Sequence, residues 1–240
     1  MRMKLNFVLL MVFALSAVAA APPAGQQTAQ TAAGAKFWLY LPPDYGQMFG
    51  KRWPMVIFLH GSGERGEDLE LVKKHGPPKL VAAGKQFPFI LVSPQCPTNQ
   101  WWSTATLNAL LDDVMRKYAV DQRRVYLTGL SMGGFGTWHW AAERPERFAA
   151  IAPICGGGKP ETARQFKELP VWVFHGAKDK AVSVLKSQEM VAALKAAGAD
   201  VRLTIYPEAE HDSWTRTYDD PKFWDWLLRQ QRSAVRRTGR

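Results

Sequence analysis

The sequence predicts an α/β domain built on a mostly parallel sheet of about seven strands, flanked by helices on both faces. Three observations predict it. Short apolar runs ending in Gly or Pro alternate along the chain with amphipathic helical segments, the order that right-handed crossover connections need. Two of those runs, Met55 to His60 and Phe89 to Ser93, are apolar up to their last residue, as strands covered on both faces are. Gly-rich polar clusters follow the strands, at His60-Gly-Ser-Gly, Gly129-Leu-Ser, His175-Gly-Ala-Lys-Asp and Glu210-His-Asp. In open α/β sheets the chemistry sits beyond the C-terminal strand ends.

Residues 1–21 read as an export signal. Arg2 and Lys4 supply the positive start, Leu5 to Ala14 is apolar except for Asn6, and Ser16 to Ala21 offers small residues for cleavage near Ala19 to Ala21. The apolar run falls short of the ~20 residues of a spanning helix. The expected mature protein is exported, periplasmic or secreted, with no membrane span. Residues 22–34 hold Ala, Pro, Gly, Gln and Thr with no aromatic or charged residue, and are expected to be a flexible leader. The catalytic domain is expected over 35–232, followed by a basic tail at 233–240.

Within the domain, Lys36 to Leu41 predicts a strand stopped by Pro42-Pro43. The two apolar strands come next, then a helix whose stripe is Leu107, Leu110, Leu111, Val114, Met115 and Tyr118. Arg124 to Thr128 predicts a strand, Phe135 to Glu143 a helix halted before Pro145, and Phe148 to Ile154 and Val171 to His175 two further strands. Val184 to Ala197 predicts a helix with Gly198 at its C-terminal cap. Val201 to Tyr206 is the last strand and Phe223 to Arg232 the last helix.

The composition is that of an ordinary folded chain: 240 residues, 47% hydrophobic and 22% charged. Two cysteines, Cys96 and Cys155, exclude a disulfide-dense scaffold and a four-cysteine zinc site. Whether they bond to each other in an oxidising compartment stays open at this point. The formal charge is +10, or about +8 once Arg2 and Lys4 are removed. No metal-ligand cluster, phosphate-binding glycine loop or nucleic-acid motif is present, so no metal, cofactor or nucleic-acid partner is expected.

Gly129-Leu130-Ser131-Met132-Gly133 is a G-x-S-x-G pentapeptide lying between a strand and a helix. That context makes it a nucleophile elbow, with the serine oxygen presented above the sheet. A hydroxyl needs a base, and the base needs an orienting carboxylate. His139 lies too far along the following helix, and His175 precedes the candidate acid. His211, in the loop after the last strand, is therefore the expected base. Asp179 is the expected acid, because it follows a strand at the same end of the sheet. Asp212, Glu208 and Glu210 are adjacent in sequence to the base and are set aside. Backbone N–H groups of Met132 and of Ser62, with Gly63 as the alternative to Ser62, are expected to hold the oxyanion.

These residues resemble the α/β-hydrolase superfamily. More closely, they resemble its exported esterases related to polyhydroxybutyrate depolymerases, feruloyl esterases and phospholipase/carboxylesterase proteins. The similarity runs from about Phe37 to Leu228. It is carried by His60-Gly-Ser-Gly-Glu-Arg-Gly66, Gly76-Pro-Pro78, Pro94-Gln-Cys-Pro97, Gly129-Leu-Ser-Met-Gly-Gly134, Pro153-Ile-Cys-Gly-Gly157, His175-Gly-Ala-Lys-Asp179 and His211-Asp-Ser-Trp214. The resemblance implies triad roles for Ser131, Asp179 and His211. It also implies a departure: the leader occupies the place of the usual first strand, so a truncated sheet edge is expected.

Trp101, Trp102 and Trp214 are expected to wall a shallow pocket for a short acyl or aryl group, with Gln95 nearby. Glu64 and Arg65 receive no role, and the arginines of the tail read as a solvated end. The expected activity is that of a monomeric serine esterase on small or polymer-borne esters. A serine peptidase, a polyester depolymerase or lipase, and a carbohydrate-binding module on the same fold are the rival readings.

Overall fold

The computed structural model describes residues 22–233. The expected export signal at 1–21 and all but the first residue of the expected tail lie outside the described residues. Eight strands form one sheet: β1 (Gln27–Ala32), β2 (Ala35–Tyr40), β3 (Trp53–Leu59), β4 (Ile90–Pro94), β5 (Val120–Leu130), β6 (Ala150–Ile154), β7 (Val171–Gly176) and β8 (Val201–Tyr206). Their spatial order is β1-β2-β4-β3-β5-β6-β7-β8. β2 pairs antiparallel with β1 and β4, and the other pairs are parallel. The helices are α1 (Gly76–Ala82), α2 (Thr104–Lys117), α3 (Met132–Glu143), α4 (Leu185–Ala196), α5 (Trp214–Asp219) and α6 (Pro221–Arg229).

β3 shows why the sheet must be covered twice. Met55, Ile57 and Leu59 belong to one core, with Leu107, Leu111 and Trp140 from α2 and α3. Val56 and Phe58 belong to the other, with Tyr218, Phe223 and Trp224 from α5 and α6. Alternate residues of a strand point to opposite faces, so an apolar residue at every position fills both layers. Much of the large aromatic content is consumed there: Trp138, Trp140, Tyr126 and Tyr218 are among the largest fully buried side chains.

From β3 the chain leaves toward β4 on one side, whereas from β5 it leaves toward β6 on the other. The loops at the C-terminal ends of β3 and β5 therefore diverge and open a crevice, the topological switch point of an α/β sheet. His60-Gly-Ser-Gly and Ser131 are the residues that leave those two ends.

The N-terminal part of the domain differs from the sequence reading in two linked ways. Residues 27–32, expected to lie in a flexible leader, form β1, and the sheet edge expected to be truncated is complete. The pairing runs from Gln27 opposite Tyr40 to Ala32 opposite Ala35, closed by Ala33 and Gly34. Both turn residues have positive φ, 51° and 75°, the pattern of a tight hairpin whose twist suits the flanking strands. Alanine at the first of these positions masked the turn, and Thr-Ala-Gln-Thr lacks the apolar alternation that identifies a strand. An edge strand with one free side tolerates such polarity. β5 also begins earlier than expected, because Val120 pairs with Trp53 ahead of an irregularity in the ladder. The polar stretch Asp121 to Arg124 concealed that half.

β1 is anchored by Gln27, whose Nε2 donates to the Pro78 carbonyl at 2.9 Å, and by the Gly25 N–H to Leu41 O at 2.8 Å. A chain starting at Ala35 should accordingly melt about 3–8 °C below one starting at Pro22, on the scale of 1–2 kcal/mol for a domain this size. Calorimetry of the two chains checks this. Equal midpoints would return the segment to the status of a leader.

Candidate active site

Ser131 stands between β5 and α3 with φ 51° and ψ −117°. A non-glycine residue there is strained, on the order of 1–3 kcal/mol. The surrounding backbone enforces it: Ser131 N–H donates to Ile154 O at 3.0 Å, and Phe135 N–H to Ser131 O at 3.0 Å. The glycines around the serine follow from how close α3 comes to the sheet. A Cβ on Gly133 would lie 1.9 Å from Leu59 O, and one on Gly129 would lie 2.4 Å from Gly133 O. No side chain fits at either position.

Three strand ends deliver three side chains to one line. His211 Nε2 lies 2.9 Å from Ser131 Oγ, and His211 Nδ1 lies 2.7 Å from Asp179 Oδ2. With a carboxylate on Nδ1, that nitrogen carries the proton, which leaves Nε2 free to accept from the serine hydroxyl. Asp179 Oδ1 accepts from the N–H groups of Ala181 and Val182, each at 2.9 Å. Burial works to raise the Asp179 carboxyl, but the hydrogen bond from His211 and these N–H donors outweigh it and hold the group below its ordinary value. Glu208 and Glu210 are exposed, and Glu208 is engaged by Lys178.

His175, set aside as a base on its place in the chain, has a different position in the structure. It is fully buried, with Nε2 2.9 Å from Val182 O and 3.2 Å from Asp179 Oδ2. Both neighbours of Nε2 are acceptors, so Nε2 carries the proton, and Nδ1 faces the Ser187 hydroxyl at 2.7 Å. Asp179 is thus fixed from two sides by imidazoles. The sequence signal was present, since His175 and Asp179 are four residues apart after one strand, but spacing alone does not show that the loop turns back.

Met132 is the first residue of α3, where N–H groups have no partner within the helix. Gly61 packs against Ser131, since a Cβ there would sit 3.6 Å from Ser131 Cβ. Ser62, the next residue, is exposed and begins a 3₁₀ turn that ends at Glu64. The two expected oxyanion donors therefore flank Ser131 from α3 and from the loop after β3. Several groups brace that loop. Arg65 donates from Nε to Ser62 O at 3.1 Å and from Nη1 to Gln100 O at 3.2 Å. Gln95, expected to meet substrate, is buried and donates its amide to Glu64 O and Asp68 O at 3.1 and 2.7 Å. Its role in the structure is bracing.

The tryptophans divide. Trp101 is 65% exposed, with Phe135 edge-on at 6.3 Å. Trp102 is buried and donates to His60 O at 3.3 Å. Both line a cleft of about 390 Å³ with Phe135, His139, Lys159 and Lys186. Trp214 is buried, its ring edge-on to His211 at 5.3 Å. Cys96 and Cys155 are separate free thiols, both buried; burial pushes Cys155 up to about 12. Cys155, Asp179 and His211 bring three potential metal ligands within 4.8 Å of one another. Two of them are already committed to the hydrogen-bonded line, and the third is a thiol held protonated, a donor set suited to proton transfer rather than to a cation.

The sequence profile of the dienelactone hydrolase family matches residues 98–225, just over half of the chain. A bifunctional acetylxylan esterase/xylanase of Neocallimastix patriciarum is 27% identical over 177 residues, covering 68% of this chain and 25% of that protein. An endo-1,4-beta-xylanase/feruloyl esterase of Xylanibacter ruminicola is 29% identical over 201 residues, covering 74% and 27%. The chain thus spans about a quarter of the length of these curated relatives. Among solved structures, a thermostable esterase superposes with a TM-score of 0.76 at 33% identity, over 86% of this chain and 64% of that one.

The braced loop also sets a pH dependence. His60 is fully buried, its Nδ1 2.6 Å from Gly61 O and its Nε2 accepting from the Cys96 N–H at 2.9 Å. Burial lowers its pKa to about 4. Between that value and the ordinary imidazole value near 6.5, the unfolded chain binds a proton that the folded chain refuses. Stability from this residue is therefore complete above about pH 6.5 and is lost as pH falls toward 4. Denaturant titrations at pH 7 and pH 4.5 should show a decline of about 1–3 kcal/mol, and His60→Asn should remove much of the slope while lowering stability at pH 7. An unchanged slope in the variant would assign the acid sensitivity to other groups.

Proposed function

The chain belongs to the dienelactone hydrolase family, within the α/β-hydrolase superfamily, and from that premise we propose that it hydrolyses carboxylic esters through an acyl-enzyme formed on Ser131. The observation that carries the reading is the unbroken line from Asp179 Oδ2 through His211 to Ser131 Oγ, with contacts of 2.7 and 2.9 Å. In this mechanism His211 Nε2 takes the hydroxyl proton as Ser131 Oγ attacks the ester carbonyl carbon. Negative charge moves to the carbonyl oxygen, where the N–H groups of Met132 and Ser62 receive it, one such donor being worth about 3–4 kcal/mol. Collapse breaks the bond to the alcohol, which leaves with the proton held by His211. Water then repeats the sequence on the acyl group: His211 takes its proton, the acid is released, and the proton returns to Ser131 Oγ. Asp179 holds the tautomer and stabilises the cationic His211 throughout.

The substrates we propose are short or aryl acyl esters, soluble or polymer-borne. The cleft between Trp101 and Phe135 suits a flat group, and the relatives named as acetylxylan and feruloyl esterases support acyl groups of this kind. The segment at 1–21 supports action outside the cytoplasm. Among the described residues, no helix is long and apolar enough to cross a membrane.

Ser131→Ala should abolish nearly all turnover of p-nitrophenyl acetate while the thermal midpoint stays at or above wild type, because the strained turn loses little with the hydroxyl. Activity within about tenfold of wild type would place the nucleophile elsewhere. Asp179→Asn should lower kcat by about 10³–10⁴, the scale set by a serine-protease precedent, whereas Glu208→Gln and Glu210→Gln should leave it nearly unchanged. A larger loss in either glutamine variant would reassign the acid. Butyrate should be cleaved faster than palmitate, with no jump in rate at a lipid interface; the reverse order would make the protein a lipase.

A further inference from the structure

The cleft beside the nucleophile has a composition that the ester-hydrolase reading does not use. Two contacts tie the cleft to the elbow: the Phe135 N–H donates to Ser131 O at 3.0 Å, and Trp102 donates to His60 O at 3.3 Å in the loop after β3, so the cleft lies at the same end of the sheet as Ser131. Its walls are Trp101, Trp102 and Phe135, and its titratable lining consists of His139, Lys159 and Lys186 with no acidic residue. Some lysines elsewhere on the surface pair with acids, among them Lys36 with Glu67, Lys51 with Asp44, Lys73 with Glu70 and Lys178 with Glu208, while others stand alone in solvent rather than in a cleft. Among the described residues, neither Lys159 nor Lys186 has a carboxylate within ion-pair distance. Gly157 keeps the floor between Phe135 and Lys186 open, since a Cβ there would stand 3.0 Å from Phe135 Cε1 and 3.1 Å from Lys186 Cβ.

An exposed indole is a platform for a ring, and two uncompensated ammonium groups beside it attract negative charge. We propose that this cleft is a subsite for a ring that carries a carboxylate, so that the enzyme favours esters whose acyl or alcohol part is an anionic ring. The ring packs on Trp101 and Phe135, and its carboxylate lies between Lys159 and Lys186. A benzene-type acid and a uronic-acid sugar share this chemistry. The inference rests on the ester-hydrolase reading for its substrate language, but the subsite itself is a binding claim.

Two matched pairs separate the sources. Mono-methyl terephthalate against methyl 4-carbamoylbenzoate tests the aryl acid, and acetylated methyl galacturonoside against acetylated methyl galactoside tests the uronate. The ratio of kcat/KM, anionic over neutral, should be about 3–10 for wild type at low salt in at least one pair, the yield expected of two partly exposed ion pairs. It should fall toward one in Lys159→Gln/Lys186→Gln and in high salt. A wild-type ratio at or below one in both pairs, or a ratio that survives the double substitution, overturns the proposal. Calorimetric binding of the same compounds to Ser131→Ala keeps the two claims apart. Anionic preference in binding without ester turnover by wild type would retain the subsite and remove the esterase reading; turnover of the neutral esters with no anionic preference would do the opposite.

Discussion

The strained backbone at Ser131 is the constraint on which the rest of the molecule depends. A serine at φ 51° and ψ −117° is tenable only if its neighbours leave no alternative. They leave none because α3 is driven against the end of β3 until Gly133 meets Leu59 O. That approach requires β3 and β5 to be adjacent and central, and hence covered on both faces. The two apolar cores, the every-position hydrophobicity of β3 and the aromatic content all serve that requirement. Strain at the elbow is thus balanced by burial distributed over the whole sheet.

Around this point the polar groups form two supports. On one side, His60, Arg65 and Gln95 hold the loop that carries Ser62, each through backbone carbonyls or N–H groups. On the other, Asp179 is held by two N–H donors and two imidazoles. A carboxylate this enclosed is tolerable because every lone pair has a donor. Fixing both supports before substrate arrives avoids reorganisation cost during the reaction, which is how preorganised donors lower a barrier.

What could be read in the sequence, and what could not, divides along physical lines. Residues 55–60 and 89–93 announced themselves as strands because burial on two faces demands unbroken apolar runs. Ser131, Asp179 and His211 could be singled out because glycines, strand ends and chain order restrict the candidates, and the structure brings these three side chains into one hydrogen-bonded line. β1 was not, since an edge strand needs neither apolar residues nor a glycine at both turn positions. The contacts of His175, Arg65 and Gln95 were not either, because they depend on where loops return in space. Trp214 shows the same limit: its loop position suggested a pocket wall, and the fold turned the ring onto His211. The match to the dienelactone hydrolase family begins at residue 98, so the loop after β3, proposed to hold the oxyanion, lies outside the matched segment.

The central claim is that Ser131 Oγ is the atom that becomes acylated, and covalent trapping tests it most directly. The full-length folded protein would be treated with a fluorophosphonate, and peptide mass spectrometry would locate the adduct. The account predicts one adduct per chain, on Ser131, formed quickly in wild type, slowly in His211→Ala and absent in Ser131→Ala. An adduct on any other residue, or a folded wild-type protein that takes up none, would contradict it.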